Sequence, residues 1–249
     1  MYDITTKLDV LSIARTQLAI ELNCSTDDFD RDGFVFCESK NNPGRRPFPR
    51  GERHFEMLTM GKAIIISATS DILPYVKEQF NGKTCYEAFG MPFVNGQGLF
   101  FLPDEIKTLP ISDNIEISLI EQVDIPKLYS VEGFNNAIQY DENHPRPDVL
   151  AITAKQNDII VGMAGCSADC EMMWQIGIDV LPEHRGQGLA AALTAMLAKE
   201  ILQRGKVPYY SCATNHIASQ RVAYRVGFKP AWMCVYRGVF DGEFTSITN

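Results

Sequence analysis

Positive charge is what this 249-residue chain lacks most: 23 lysines and arginines stand against 31 aspartates and glutamates, a formal net charge of −8. Such a balance repels a phosphate backbone or an anionic bilayer unless a strong local basic patch overcomes it, so neither nucleic acid nor a membrane is an expected partner. Long apolar runs are missing too. Stretches such as residues 63–68 fall far short of the roughly 20 residues a membrane helix needs. Met1-Tyr2-Asp3-Ile4 has neither the basic nor the apolar region of a signal peptide, and the seven cysteines form an odd set without regular spacing. Together these lead to the expectation of a cytoplasmic protein with reduced thiols. Cys166 and Cys170 have no second pair or nearby histidine to complete four ligands, so they read as buried thiols and no metal site is expected. No stretch supplies the glycine and Gly-Lys-Ser/Thr spacing of a Walker loop.

What is present is a foldable composition, 45% hydrophobic and 22% charged, too apolar for a disordered chain and long enough for one large domain or two smaller ones. Apolar residues at helical spacing predict a helix over residues 6–22. Residues 27–53, rich in Gly, Pro and Asn, predict a long surface loop. Its Arg45, Arg46, Arg50 and Arg53 read either as partners of the surplus acids or as an anion site. A strand is expected at 62–68, a helix capped by Ser70 and running to Phe80, and a strand at 98–102. The polar, turn-rich run 108–114 marks a boundary, giving an N-terminal accessory mixed α/β domain over 1–114 and a second domain over 115–249. In the second, strands are expected at 116–121, 149–154, 159–165, 172–180, 207–213 and 232–239, with helices at 125–138, 188–203 and 217–226. The fold class is α/β of the α+β type: a mixed, mostly antiparallel sheet flanked by helices.

The chemistry is concentrated where the strand ending at Val180 passes through Leu181-Pro182-Glu183-His184 into Arg185-Gly186-Gln187-Gly188-Leu189-Ala190 and a helix. A helix N-terminus presents unpaired N–H groups and a partial positive charge, which stabilise an anion. Gly186 and Gly188 let it approach, and Arg185 adds a permanent charge. On paper Gly186, Gly188 and Ala191 also satisfy the dinucleotide pattern GxGxxA. Against it, five residues separate the strand from the first glycine, and the acid expected about twenty residues on is missing from Ser211-Cys212-Ala213-Thr214-Asn215.

The run Arg185, Gly188 and Ala190, preceded by Val180 and Pro182, resembles the signature of the GNAT superfamily of acyl-CoA-dependent N-acyltransferases. Asn215, Ser219, Ala223, Gly227 and Phe228 are similar to that family's second motif, a helix ending in Gly-Phe. The resemblance covers roughly residues 115–239, with a weaker similarity of residues 1–114 to two-domain bacterial members. It implies a GNAT-like sheet and acetyl-CoA as cofactor. The implied cofactor contacts are Ile178, Asp179, Val180, Arg185, Gly186, Gln187, Gly188, Leu189, Ala190, Asn215 and Ser219, with the pantetheine arm beside the strand 176–180 and the acyl carbonyl near Ile178. The implied reaction is direct acetyl transfer to a primary amine of a small molecule, with a homodimer left open as the assembly. Relatives often carry a carboxylate base where this chain reads Met173-Trp174-Gln175. Asp169 and Glu171, just before, are the candidates here, beside their reading as ordinary turn acids. The acid tyrosine of many relatives falls at Ala223, and Tyr224 is one residue late, a rotation of about 100° on a helix. Either Asn215 or His216 faces the cofactor, and His184, His216 and His144 are further candidate bases, each more commonly structural. Trp174 and the displaced tyrosine keep a second function class alive, a non-catalytic acyl-CoA-binding sensor or scaffold.

Overall fold

The computed structural model of the chain describes residues 9–48 and 53–239. In chain order the elements are α1 (Val10–Leu22), β1 (Phe34–Glu38), β2 (His54–Thr59), β3 (Ile64–Ala68), α2 (Leu73–Phe80), α3 (Cys85–Phe89), β4 (Asn95–Pro103) and β5 (Glu116–Glu121). There follow β6 (Asp148–Gln156), β7 (Ile159–Ala168), β8 (Met173–Val180), α4 (Leu189–Gln203), β9 (Val207–Ala213), α5 (Ile217–Val226) and β10 (Phe228–Val239). These form two compact units, one built mainly from Phe101–Ser211 and His216–Lys229, the other from Leu11–Phe100, Cys212–Asn215 and the chain from Pro230. A division at residue 114 is continuous in sequence. The compact units instead interleave, because β10 returns to the 11–100 unit.

In the 11–100 unit the strand order is β1-β3-β2-β10-β4. β1 runs parallel to β3 in the register Phe34↔Ile64, and β2 is antiparallel to β3 and to β10. Its core is aromatic: Phe55, Phe80 and Phe93 pack with ring centroids 5.8–6.0 Å apart among Met57, Ile64, Ile66 and Val76. The expected loop over 27–53 contains β1, because Phe34-Val35-Phe36 finds a partner in the wholly buried β3. Arg46 of the same stretch is 5% exposed and makes a buried pair with Glu21, 4% exposed, on α1, with Nη2 donating to Oε2 at 2.6 Å. A paired charge is the form in which burial is tolerated. Arg53 faces Asp71 at 3.3 Å, and Arg50 lies outside the described residues, as do residues 6–8 of the first expected helix. α2 begins at Leu73 after Ile72, with no side-chain cap, so Ser70 does not start it.

In the 101–229 unit the order is β9-β8-β7-β6-β5, antiparallel from β5 to β8 and parallel between β8 and β9. α4 lays Leu189, Leu193, Leu197 and Ile201 on this sheet. Gly162 on β7 makes room, since a Cβ there would stand 3.0 Å from Leu193 Cδ1. The helix expected over 125–138 is a 3₁₀ helix, Gln122–Ser130, followed by turns. Pro126 lies inside it and cannot supply a helical N–H. The apolar spacing that suggested a helix is used all the same: Ile125, Leu128, Phe134 and Ile138 bury against Ala151 and Met163.

The segment 134–138 lies flat on the sheet because two glycines are paired across strands, Gly165 of β7 with Gly177 of β8. A Cβ on Gly177 would sit 1.7 Å from the Asn136 carbonyl oxygen, and one on Gly165 2.0 Å from that of Ala137. Asp179, two residues along β8, fixes the segment: its carboxylate accepts from Asn136 N at 2.7 Å, Asn136 Nδ2 at 2.6 Å and Ala137 N at 3.1 Å. Asp148 does the same further back, accepting from Tyr129 Oη at 2.9 Å and Gln139 N at 2.8 Å.

Candidate active site

After β8, a short 3₁₀ turn (Pro182–His184) delivers the chain to Arg185. Gly186 and Gly188 then adopt φ of +78° and +88°, the left-handed region in which a side chain costs about 1–2 kcal/mol per residue. Gly188 caps α4 and turns the free N–H groups of the first helical turn outward. Arg185 Nε donates to the Val180 carbonyl at 2.8 Å, so its guanidinium ties the turn to the end of β8 as well as carrying charge.

These elements wall a cleft of about 460 Å³ that lies wholly within the 101–229 unit. Ile178, Asp179 and Val180 form one side, Arg185, Gly186, Gly188, Leu189 and Ala190 the turn, and Tyr210, His216, Ser219, Arg221 and Arg225 the opposite side. The cleft exists because β8 and β9 part. Their pairing runs from Met173↔Val207 to Ile176↔Tyr210 and stops, leaving residues 177–180 without a β9 neighbour. An extended ligand with amide groups fits such an open strand edge as an added strand would. Tyr210 Oη and Ser219 Oγ are hydrogen-bonded at 2.7 Å, which holds Ser219 against the cleft.

Arg221 and Arg225 went unrecognised in the sequence. They stand four residues apart on α5, hence on one helix face, and a Cβ on Gly188 would stand 3.1 Å from Arg225 Nη2. Arg185, Arg221, Arg225 and the N-terminus of α4 thus line one cleft. The signal was readable as an i, i+4 basic pair on a helix whose other face buries Ala223 and Val226.

The remaining expected residues distribute as follows. Gln187 and Asn215 are exposed and do not line the cleft, whereas His216 does. Asp179 lines it, with its carboxylate committed to Asn136 and Ala137. Tyr224 is 49% exposed, edge-on to Phe101 at 5.5 Å, and outside the cleft. Glu171 is exposed. Asp169 is 2% exposed and accepts from Ser167 Oγ at 2.6 Å and from the Tyr209 hydroxyl, with Arg146 Nη1 facing it as an ion-pair partner at 3.6 Å. His144 Nδ1 faces the Arg146 backbone at 3.0 Å, and Trp174 pairs with Ala168 and Pro208 in the sheet. Burial pushes the Asp148 carboxyl above its usual range, against the hydrogen bonds from Gln139 and Tyr129. Burial likewise raises the Cys166 thiol. No described helix is long and apolar enough to cross a membrane.

With this geometry in place, residues 134–232 match the family model described as GNAT acetyltransferase. Over that span the chain is similar to the GNAT acetyltransferases, and its sheet is mixed, mostly antiparallel and flanked by helices. No protein with a curated description matches. Among solved structures, a GNAT-family acetyltransferase from Novosphingobium aromaticivorans is similar at 18% identity and a TM-score of 0.43, covering 55% of this chain and 61% of its own. A GCN5-related N-acetyltransferase-like protein from Streptococcus suis is similar at 17% identity and a TM-score of 0.44, covering 71% and 72%. An aminoglycoside N-acetyltransferase in complex with CoA is similar at 17% identity and a TM-score of 0.37, covering 53% and 96%. This chain therefore spans about three fifths of the first of these proteins.

Proposed function

We propose that the chain transfers an acetyl group from acetyl-CoA to a primary amine of a small molecule. The observation that carries this reading is the union, in one cleft, of an anion-binding turn with an unpaired strand edge. The turn receives the pyrophosphate on the N–H groups behind Gly186 and Gly188, and Arg221 and Arg225 neutralise further phosphate charge. The pantetheine amides bond along residues 177–180. A main-chain N–H at Ile178 meets the thioester oxygen and stabilises the negative charge that develops as the amine attacks. The new C–N bond forms, the C–S bond breaks, and CoA leaves as a thiolate while the ammonium proton passes to a base.

Calorimetric titration with CoA tests the cofactor half, and incubation with labelled acetyl-CoA and a panel of polyamines, aminoglycosides and amino acid amides tests the transfer. CoA is expected to bind, Arg225→Ala to weaken it about tenfold, and added salt to shrink that difference. Failure of CoA to bind would overturn the reading.

A second reading, a non-catalytic acyl-CoA sensor, draws on the commitment of Asp179 to its own backbone partners and on the outward position of Tyr224. Turnover on any amine removes it.

A further inference from the structure

A chain of side chains behind β8 and β9 ends on one hydroxyl, Ser211, at the point where those strands part. Asp169 is its anchor, buried and facing Arg146 Nη1 at 3.6 Å. That same nitrogen lies 3.3 Å from the side-chain oxygen of Gln175. A guanidinium has only protons to offer, so the Gln175 atom facing it is the carbonyl oxygen, and the orientation of the amide is settled. The Gln175 amide nitrogen then points the other way and donates to Ser211 Oγ at 2.9 Å.

Ser211 accepts that bond, so its own proton is left for another acceptor, and among the described residues none takes it. Its place in the register gives the proton meaning. Gln175 pairs with Tyr209 and Ile176 with Tyr210, and Ser211 is the first β9 residue beyond the last pair. In the cofactor reading, an arm laid along residues 177–180 brings its reactive end to the fork, the place in the register where Ser211 stands.

We propose that Ser211 donates a hydrogen bond to the sulfur of the bound acyl-CoA and stabilises the thiolate as the C–S bond breaks. Gln175, Arg146 and Asp169 are positioning residues that hold this proton outward. The assignment rests on the cofactor reading above. It supplies a group for the leaving sulfur in a chain whose Tyr224 is 49% exposed and turned edge-on to Phe101. No proton changes owner in this step: the hydroxyl keeps its hydrogen and only the charge on sulfur is stabilised.

The test is the ionisation of the thiol of bound CoA, followed by the ultraviolet absorbance of its thiolate, with desulfo-CoA as the blank that subtracts the protein's own cysteines. Relative to the wild-type protein, Ser211→Ala is expected to raise the bound thiol's pKa by about one unit, with CoA affinity unchanged. Ser211→Thr keeps the hydroxyl and restores the wild-type value, while Gln175→Leu gives an intermediate shift. With an acceptor amine, Ser211→Ala also slows turnover about 10- to 100-fold. A bound thiol that titrates identically in wild type and Ser211→Ala overturns the assignment alone. If wild-type protein takes up no CoA, the cofactor reading falls and this assignment with it.

Discussion

The two compact units hold themselves together by different means. In the 11–100 unit, large rings fill volume: Phe55, Phe80 and Phe93 pack edge-to-face and stacked over apolar strands, and the buried Glu21–Arg46 pair is a self-contained polar insertion. In the 101–229 unit, main chain lies on main chain over the Gly165–Gly177 pair, and Asp148 and Asp179 fasten the covering segment through its N–H groups. A volume-filled core can relax around a change in shape. Backbone in contact with backbone has nowhere to go. The unit that carries the cleft is therefore the one with less room for error, and its tightest point, Gly177, lies on the strand that lines it.

The sharpest way to break this contrast is Gly177→Val. The first side-chain atom would stand 1.7 Å from a carbonyl oxygen, so loss of the folded 101–229 unit is expected, a cost of more than about 4 kcal/mol, visible as loss of near-ultraviolet circular dichroism. Phe80→Ala in the other unit should cost about 3–4 kcal/mol in denaturant unfolding yet leave CoA affinity in place. If it costs more than Gly177→Val, the contrast is wrong. Asp179→Ala strips the acceptor from three donors. About 2 kcal/mol of stability should go, together with CoA affinity, while Asp179→Asn should recover part of both. The smallest effect is a pH dependence. Burial raises Asp148, so the folded chain holds that proton more tightly than the unfolded one. The resulting stabilisation is whole below the ordinary carboxylate value of about 4 and is lost as pH climbs through the raised one. Asp148→Asn should flatten that decline in urea unfolding measured across the acid range.

Much of the 101–229 unit was legible because its periodicities are strong and its stops are clear. β9 and α5 are read at their observed bounds, and Gly227 ends α5 in a left-handed conformation at φ +103°. The glycine turn was legible because Gly186 and Gly188 sit where only glycine is comfortable. What escaped is nonlocal. The partners of Asp179 lie 42 and 43 residues away, so nothing in its neighbourhood distinguishes an acid that fastens a segment from one that meets a ligand. Asp169 reads as a turn acid until Tyr209 and Arg146 are brought beside it. The gap opposite residues 177–180 is a property of two strands together and is invisible in either. Arg221 and Arg225 were there to be read as a pair and were passed over because attention stayed on the glycine turn.

The position of β10 carries a consequence for how the protein is made. It sits between β2 and β4 in the 11–100 unit, with Met233 opposite Thr59 and Cys234 opposite Leu58, yet among the described strands it is the last to leave the ribosome. Chains usually fold N-terminal part first. Here the unit begun first waits, its strand β2 presenting Phe55, Met57 and Leu58 with one edge open, while the whole 101–229 stretch is synthesised. Order of synthesis and order of completion run in opposite directions, and a chain that stalls in translation before residue 228 would leave that edge exposed to aggregation.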